Sequence, residues 1–200
     1  MRIGVDINQL TGSHEKSNDA NHKWLLNEGH GLVPLPLPYG DYCEVTSDIQ
    51  EIIDRRGMKL SKIDLVSAIT ISVDRKNSID EICLDICSKQ HDRFREEAIR
   101  AKSAGAKFYV LIENDEGITD LDGIKHWSNP RLHRYNKINY MHKLGKWKSV
   151  PLPKRPPTAN ITLFKAMYSM AKKYDIIWVF CKPQEAGAKI VELLEMHENM

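Results

Sequence analysis

The sequence predicts an α/β protein with a mixed central sheet flanked by helices. Three observations predict it. Short apolar runs rich in β-branched and aromatic residues recur along the chain, among them RIGVD, ITISV and KFYVLIE. Amphipathic stretches of helical period separate them, the spacing of strand–helix–strand units. One extended run, GLVPLPLPYGDYCEV, is broken by prolines, which suit an edge or irregular strand and argue for a mixed sheet over a purely parallel one.

The elements follow in order. Arg2–Asp6 reads as a short buried strand, and 18–28 as a helix that Gly29 stops. After the proline-rich run, Ser47 and Gln50 form a capping box that opens a helix ending near Gly57. The β-branched stretch from Lys62 to Val73 is a strand candidate. Ser78 and Glu81 form a second capping box, behind which Ile79, Ile82, Cys83 and Ile86 fall on one helical face. A break near His91–Asp92 precedes a further helix to about Ser103, and Lys107–Glu113 is the clearest strand of the chain. The region 115–157 has weak periodicity. A helix over 160–174, a strand over 175–181 and a closing helix over 185–195 complete the pattern.

With 42% hydrophobic and 28% charged residues in 200, the chain has enough apolar material for one sizeable core. No apolar run approaches the roughly 18 residues of a membrane span, and the N-terminus lacks the pattern of a signal peptide. The four cysteines have neither zinc-ribbon spacing nor disulfide-scaffold density, so a reduced, cytoplasmic protein is expected. Cys83 and Cys87 read as core residues, and the eight histidines show no ligand spacing.

Charge is distributed unevenly. Twelve of the 29 Lys and Arg residues lie in 123–174, which contains no Asp or Glu, so the 27 acidic residues outnumber the other 17 basic ones. Within that stretch Trp127, His133, Tyr135, Tyr140 and Trp147 are interleaved with Arg131, Arg134, Lys137, Lys143, Lys146 and Lys148. Cations contact phosphates without reading sequence, and aromatics stack on unpaired bases. The competing reading is a solubilising insertion whose aromatics pack against the domain.

The residues that could carry chemistry are acids at strand ends followed by a lysine: Asp41 in YGDY, then Asp74 and Lys76 in VDRK. Two carboxylates can hold a divalent cation, and a lysine two residues further on shares the strand face and can orient or deprotonate a water. Oxygen ligands suit Mg²⁺ or Mn²⁺. The Asp-x-Lys triplet by itself also describes a solvated strand end with an ion pair.

Several motifs in order resemble the XPF/Hef family of structure-specific endonucleases. LPYGDY (Leu37–Tyr42) is similar to its glycine-aspartate-tyrosine signature, and VDRKNSID (Val73–Asp80) to its central Val-Glu-Arg-Lys signature with an Asp after three further residues. The run Glu81–Glu113 follows the family's two helices and hydrophobic strand, with Arg93 in the Arg-bearing turn, and Val5–Asp6 matches its N-terminal strand. The resemblance implies a restriction-endonuclease-like core that binds DNA, with branched or flapped DNA as substrate and roles in DNA repair and recombination. It implies Asp41, Asp74, Lys76 and Asp80 as catalytic residues, Asp6, Asp41 and Asp74 at the metal, and Arg75 and Arg93 on DNA. Arg131, Arg134, Lys143, Lys146, Trp147 and Lys148 extend the DNA-binding set through the basic block. A homodimer is the other candidate assembly.

The departures are specific. The family's Glu is Asp74 here, and the Arg and Glu that follow its N-terminal strand are replaced by Asn8 and Gln9, which bears on a second metal site. Asp80 can equally cap its helix, and Arg93 can pair with Glu96 or Glu97. The whole chain is expected to be one nuclease domain over 1–200, of the free-standing phage or mobile-element type, with an insertion at about 115–157. The alternative is a catalytically degraded nuclease fold acting as a DNA-binding or partner subunit. A sequence-specific restriction or mismatch nuclease would share the same metal site.

Overall fold

The computed structural model describes residues 1–10, 12–88 and 90–196, and at 12–18 the backbone only. Among these residues six strands form one sheet: β1 (Arg2–Asp6), β2 (Gly31–Leu35), β3 (Tyr42–Glu44), β4 (Ile71–Lys76), β5 (Lys107–Glu113) and β6 (Ile176–Cys181). Their order is β2-β1-β3-β4-β5-β6. The pairs β1–β2, β4–β5 and β5–β6 are parallel, while β3 runs antiparallel between β1 and β4. The sheet is therefore mixed, and the proline-bearing β2 lies at its edge, where Pro34 removes no ladder bond from a central strand.

Among the described residues eight α-helices flank it: α1 (Gly12–Asn27), α2 (Ser47–Arg56), α3 (Lys62–Leu65), α4 (Ile79–Cys87), α5 (His91–Ser103), α6 (Pro130–Lys143), α7 (Asn160–Tyr174) and α8 (Ala186–Leu194). Strand alternation divides the core in two. Phe108, Val110 and Ile112 of β5 pack with Ile82 and Ile86 of α4, Phe94 and Ala98 of α5, and Leu163 and Met167 of α7. Val73, Tyr109 and Leu111 face the other way, against Leu25 of α1 and Ile190 and Leu193 of α8. Burial on both faces explains why β5 is an uninterrupted apolar run.

Three local expectations are corrected. Helix α2 is capped by Thr46, whose side chain accepts from Ile49 N, one residue before the expected Ser47. The stretch expected as a strand from Lys62 begins as the single turn α3, with Ser61 and Asp64 in a capping box, and the strand starts only at Ile71. Within 115–157, where periodicity is weak, α6 runs for 14 residues from an Asn129 cap with proline in its first turn. It is polar nearly all round, with Ile138 its buried residue, so no apolar stripe marks it. The Ser78 cap of α4 is as expected, its side chain accepting from Glu81 N.

Candidate active site

The register of three strands builds the site. Val5, Tyr42 and Val73 lie side by side across β1, β3 and β4. One step beyond that row, at the carboxyl ends of β1 and β4, come Asp6, Asp41 and Asp74. Backbone bonds lock them together: Asp6 N donates to Asp41 O, and Asp41 N to Val73 O, both at 2.9 Å. Gly40 makes the approach to Asp41 possible. Its φ is +69°, and a Cβ there would lie 2.0 Å from Ser72 Oγ, a hydroxyl that itself donates to Tyr39 O at 2.8 Å.

Asp6, Asp41, Asp74 and Lys76 are all buried. Asp41 Oδ2 accepts from Arg75 N at 2.9 Å, and its Oδ1 from the Gln9 amide. Asn8 Nδ2 donates to Asp6 Oδ2 at 3.0 Å. The two residues that depart from the family pattern are thus amide donors to the first two acids. Burial, and next the Asp74 carboxylate, push Asp41 well above the usual aspartate range, against the pull of Lys76.

Lys76 sits on the same face as Asp74. Its Nζ donates to Asp74 Oδ1 at 3.1 Å and lies 2.9 Å from Oδ2, where it makes an ion pair without an aligned hydrogen bond. A third contact, 3.0 Å to Asp85 Oδ2 on α4, was not foreseen from the sequence. Asp85 follows Ile82 by three residues and precedes Ile86 on the buried face of α4, and an acid within an apolar stripe is the signal that could have found it. Burial pulls the ammonium down, yet Asp74, Asp85 and Asp41 together outweigh it and hold Lys76 above the ordinary lysine range. Glu97 of α5 is another acid that sequence reasoning left as a pairing partner of Arg93. Its Oε1 accepts from Gly40 N at 2.6 Å, and burial, then Asp74, raise it to about 7.

The remaining expected residues lie elsewhere. Asp80, in the first turn of α4, pairs at 2.7 Å with Arg131 at the start of α6, outside the Asp74–Lys76–Asp85 contacts. Arg75, expected among the DNA contacts, points to the opposite sheet face, where its Nε meets Glu113 Oε1 at 2.5 Å in a buried pair that Asn21 joins. It ties β4 to β5 instead of reaching solvent. Arg93 is exposed on α5, and Arg134, Lys143, Lys146 and Lys148 are exposed on the insertion. Trp127 is core, whereas Trp147 is 43% exposed and adopts a left-handed φ of 52°, an unusual conformation for a bulky residue. A cavity of about 360 Å³ beside it is lined by Arg134, Lys137, Ile138, Trp147 and Val150.

The donor set suits a hard divalent cation. Asp6 Oδ1 is a buried oxygen without a hydrogen-bond partner, Asp74 Oδ2 has only its ion pair with Lys76, and burial and next the Asp74 charge raise Asp41. Among the described residues no three His, Cys, Asp or Glu side chains converge to hold a metal ion. No helix among the described residues is long and apolar enough to cross a membrane.

Comparison with known proteins supplies the fold's identity. No family model matches the chain, and no curated protein matches it. Among solved structures it is similar to XPF from Aeropyrum pernix in complex with DNA, at 19% identity and a TM-score of 0.52, over 98% of this chain and 64% of that one. It is likewise similar to a second structure of XPF from Aeropyrum pernix, at 17% identity and a TM-score of 0.53, over 100% and 63%. The chain spans less than two thirds of those structures' length, and what it shares with them is the XPF-type nuclease fold.

Proposed function

We propose, for a chain with the XPF nuclease fold, a metal-dependent endodeoxyribonuclease that hydrolyses phosphodiester bonds of branched, flapped or junction DNA in repair or recombination. The nuclease domain would be the whole of 1–200, with the insertion at about 115–157 as its DNA-docking surface. One observation carries the reading: buried Asp41 and Asp74 adjoin at the carboxyl end of the sheet, with the Lys76 ammonium on Asp74. Ligands of open α/β sheets bind at that end of the strands.

Asp41 and Asp74 would hold Mg²⁺ or Mn²⁺, with Asp6 as a third acid. Bound there, the cation neutralises charge that builds on the scissile phosphate. Lys76, whose ammonium lies against Asp74 and Asp85, would orient or deprotonate the attacking water. Arg93, exposed on α5, would take a phosphate of the bound strand. Asp80 supports the site at one remove, by anchoring α6 through Arg131. The cations Arg134, Lys143, Lys146 and Lys148 would track the backbone. Trp147, beside a cavity with two cations in its lining, would stack on an unpaired base. The DNA bound to one of the similar structures supports DNA as the ligand here.

A second reading, a nuclease fold that binds DNA without cutting it, is favoured by the Asn8 and Gln9 amides on the first two acids. Labelled duplex, flap and four-way-junction DNA, incubated with Mg²⁺, Mn²⁺ or EDTA, separates the two. Metal-dependent products on branched DNA support the nuclease, while binding without products in any metal supports the second reading.

A further inference from the structure

Asp74 cannot serve both a metal and Lys76 unless another group shares the lysine. The ammonium lies within 3.1 Å of both Asp74 oxygens. A divalent cation on Asp74 would take those oxygens and repel the ammonium at close range. A buried lysine without a counter-charge is costly, so it would either resist the metal or lose its position. Asp85 answers this. It is buried, 3.0 Å from Lys76 Nζ, and reaches the lysine from α4, a different element from the strand that carries Asp74. The Ser78 cap fixes where α4 begins and so which of its residues meets Lys76.

We propose that Asp85 is a positioning residue: it retains the Lys76 ammonium when Asp74 turns to the metal, and so sets how tightly the site takes a divalent cation. The proposal rests on the nuclease reading, but its test needs neither DNA nor cleavage. Mn²⁺ affinity is measured by electron paramagnetic resonance on the wild type, Asp85→Asn, Lys76→Met and the double variant. In Asp85→Asn the lysine leans wholly on Asp74 and competes with the metal, so affinity falls by about tenfold, the low end of effects seen for groups that support ligands. Lys76→Met removes the competitor and binds at least as tightly as the wild type. The double variant equals Lys76→Met, because Asp85 acts only through the lysine.

A packing role for Asp85 would weaken binding whether or not Lys76 is present. A double variant weaker than Lys76→Met therefore overturns the proposal, as does an Asp85→Asn protein that binds Mn²⁺ like the wild type. If Asp85→Asn does not fold, the comparison of the double variant with Lys76→Met still decides, since neither contains the pair. A wild type that binds no Mn²⁺ refutes the metal reading itself and takes this proposal with it.

Discussion

Replacing Lys76 by Met keeps the apolar stem of the side chain and deletes one buried positive charge. Asp74 Oδ2 and Asp85 Oδ2, now 2.9 and 3.0 Å from the ammonium, are left without it in a site that water barely reaches. Removing one partner of a buried ion pair costs about 3–5 kcal/mol. At roughly 2–4 °C per kcal/mol for a chain of this size, the melting temperature at pH 7.5 should fall by on the order of 10 °C. The sign of the pH effect follows from Asp41 and Glu97, which burial raises and the Lys76 charge pulls down. Without the cation both rise further, so the stability of the variant recovers as pH falls toward the ordinary carboxylate range near ~4 and is lost as pH rises. Circular dichroism melts at pH 5 and 7.5, with EDTA and with saturating Mn²⁺, test this. The deficit should shrink at pH 5 and also with Mn²⁺, which stands in for the ammonium beside Asp74. Cleavage should vanish while DNA affinity stays near that of the wild type, because a lysine this deeply buried does not touch the duplex. A deficit identical at both pH values would refute the electrostatic account of Lys76.

Asp74→Asn should lose cleavage of labelled forked DNA, with partial recovery in Mn²⁺, whereas Asp74→Glu, with the carboxylate kept, should retain it. Gly40→Ala should destabilise the fold by more than ~1 kcal/mol and abolish cleavage, since its Cβ would meet Ser72 Oγ and displace Asp41; wild-type melting would contradict that. Glu97 is raised to about 7 from 4.5, so its share of metal-free stability is present below 4.5 and lost as pH rises through about 7. Glu97→Gln should flatten the melting temperature over that window, and an unaltered pH profile would exclude Glu97 as a cause. Neutralising Lys143, Lys146 and Lys148 together should weaken binding to all sequences and reduce the salt slope by about 0.9 for each duplex phosphate that the protein no longer neutralises. An unchanged slope would leave the insertion as a solvated surface and move DNA docking to Arg93 and α5.

Much of the molecule was legible from residue order because the governing forces are local. The apolar run of β5 needs burial on both faces, and Ser78 with Glu81 can hardly do other than open a helix. The prolines of the run from Gly31 fit β2 at the sheet edge, but its far end, β3, lies between β1 and β4, which an expected edge or irregular strand did not foresee. Asp41, Asp74 and Lys76 stood out through several motif resemblances in order, since the Asp-x-Lys triplet by itself also fits a solvated strand end. Local pattern failed where the deciding partner is distant in sequence. The turn α3 and the start of β4 depend on what Ile71 pairs with, and α6 has no apolar stripe because only Ile138 is buried.

The tertiary structure alone decided which charges meet. Asp6, Asp41 and Asp74 form a row only because β3 runs antiparallel between β1 and β4 in one particular register, a fact that no window of residues contains. The same strand alternation sends Lys76 toward Asp85 and its neighbour Arg75 toward Glu113 on the other face. The sequence by itself determined an α/β protein, through period-two strands alternating with helical periods, and its motif resemblance pointed to Asp41, Asp74 and Lys76 as the candidate site. Which acid holds the lysine, which arginine turns to the interior and which amides sit on the first two acids are set by ångström-scale distances between segments tens of residues apart. Electrostatic energy depends on those distances, and local sequence does not encode them.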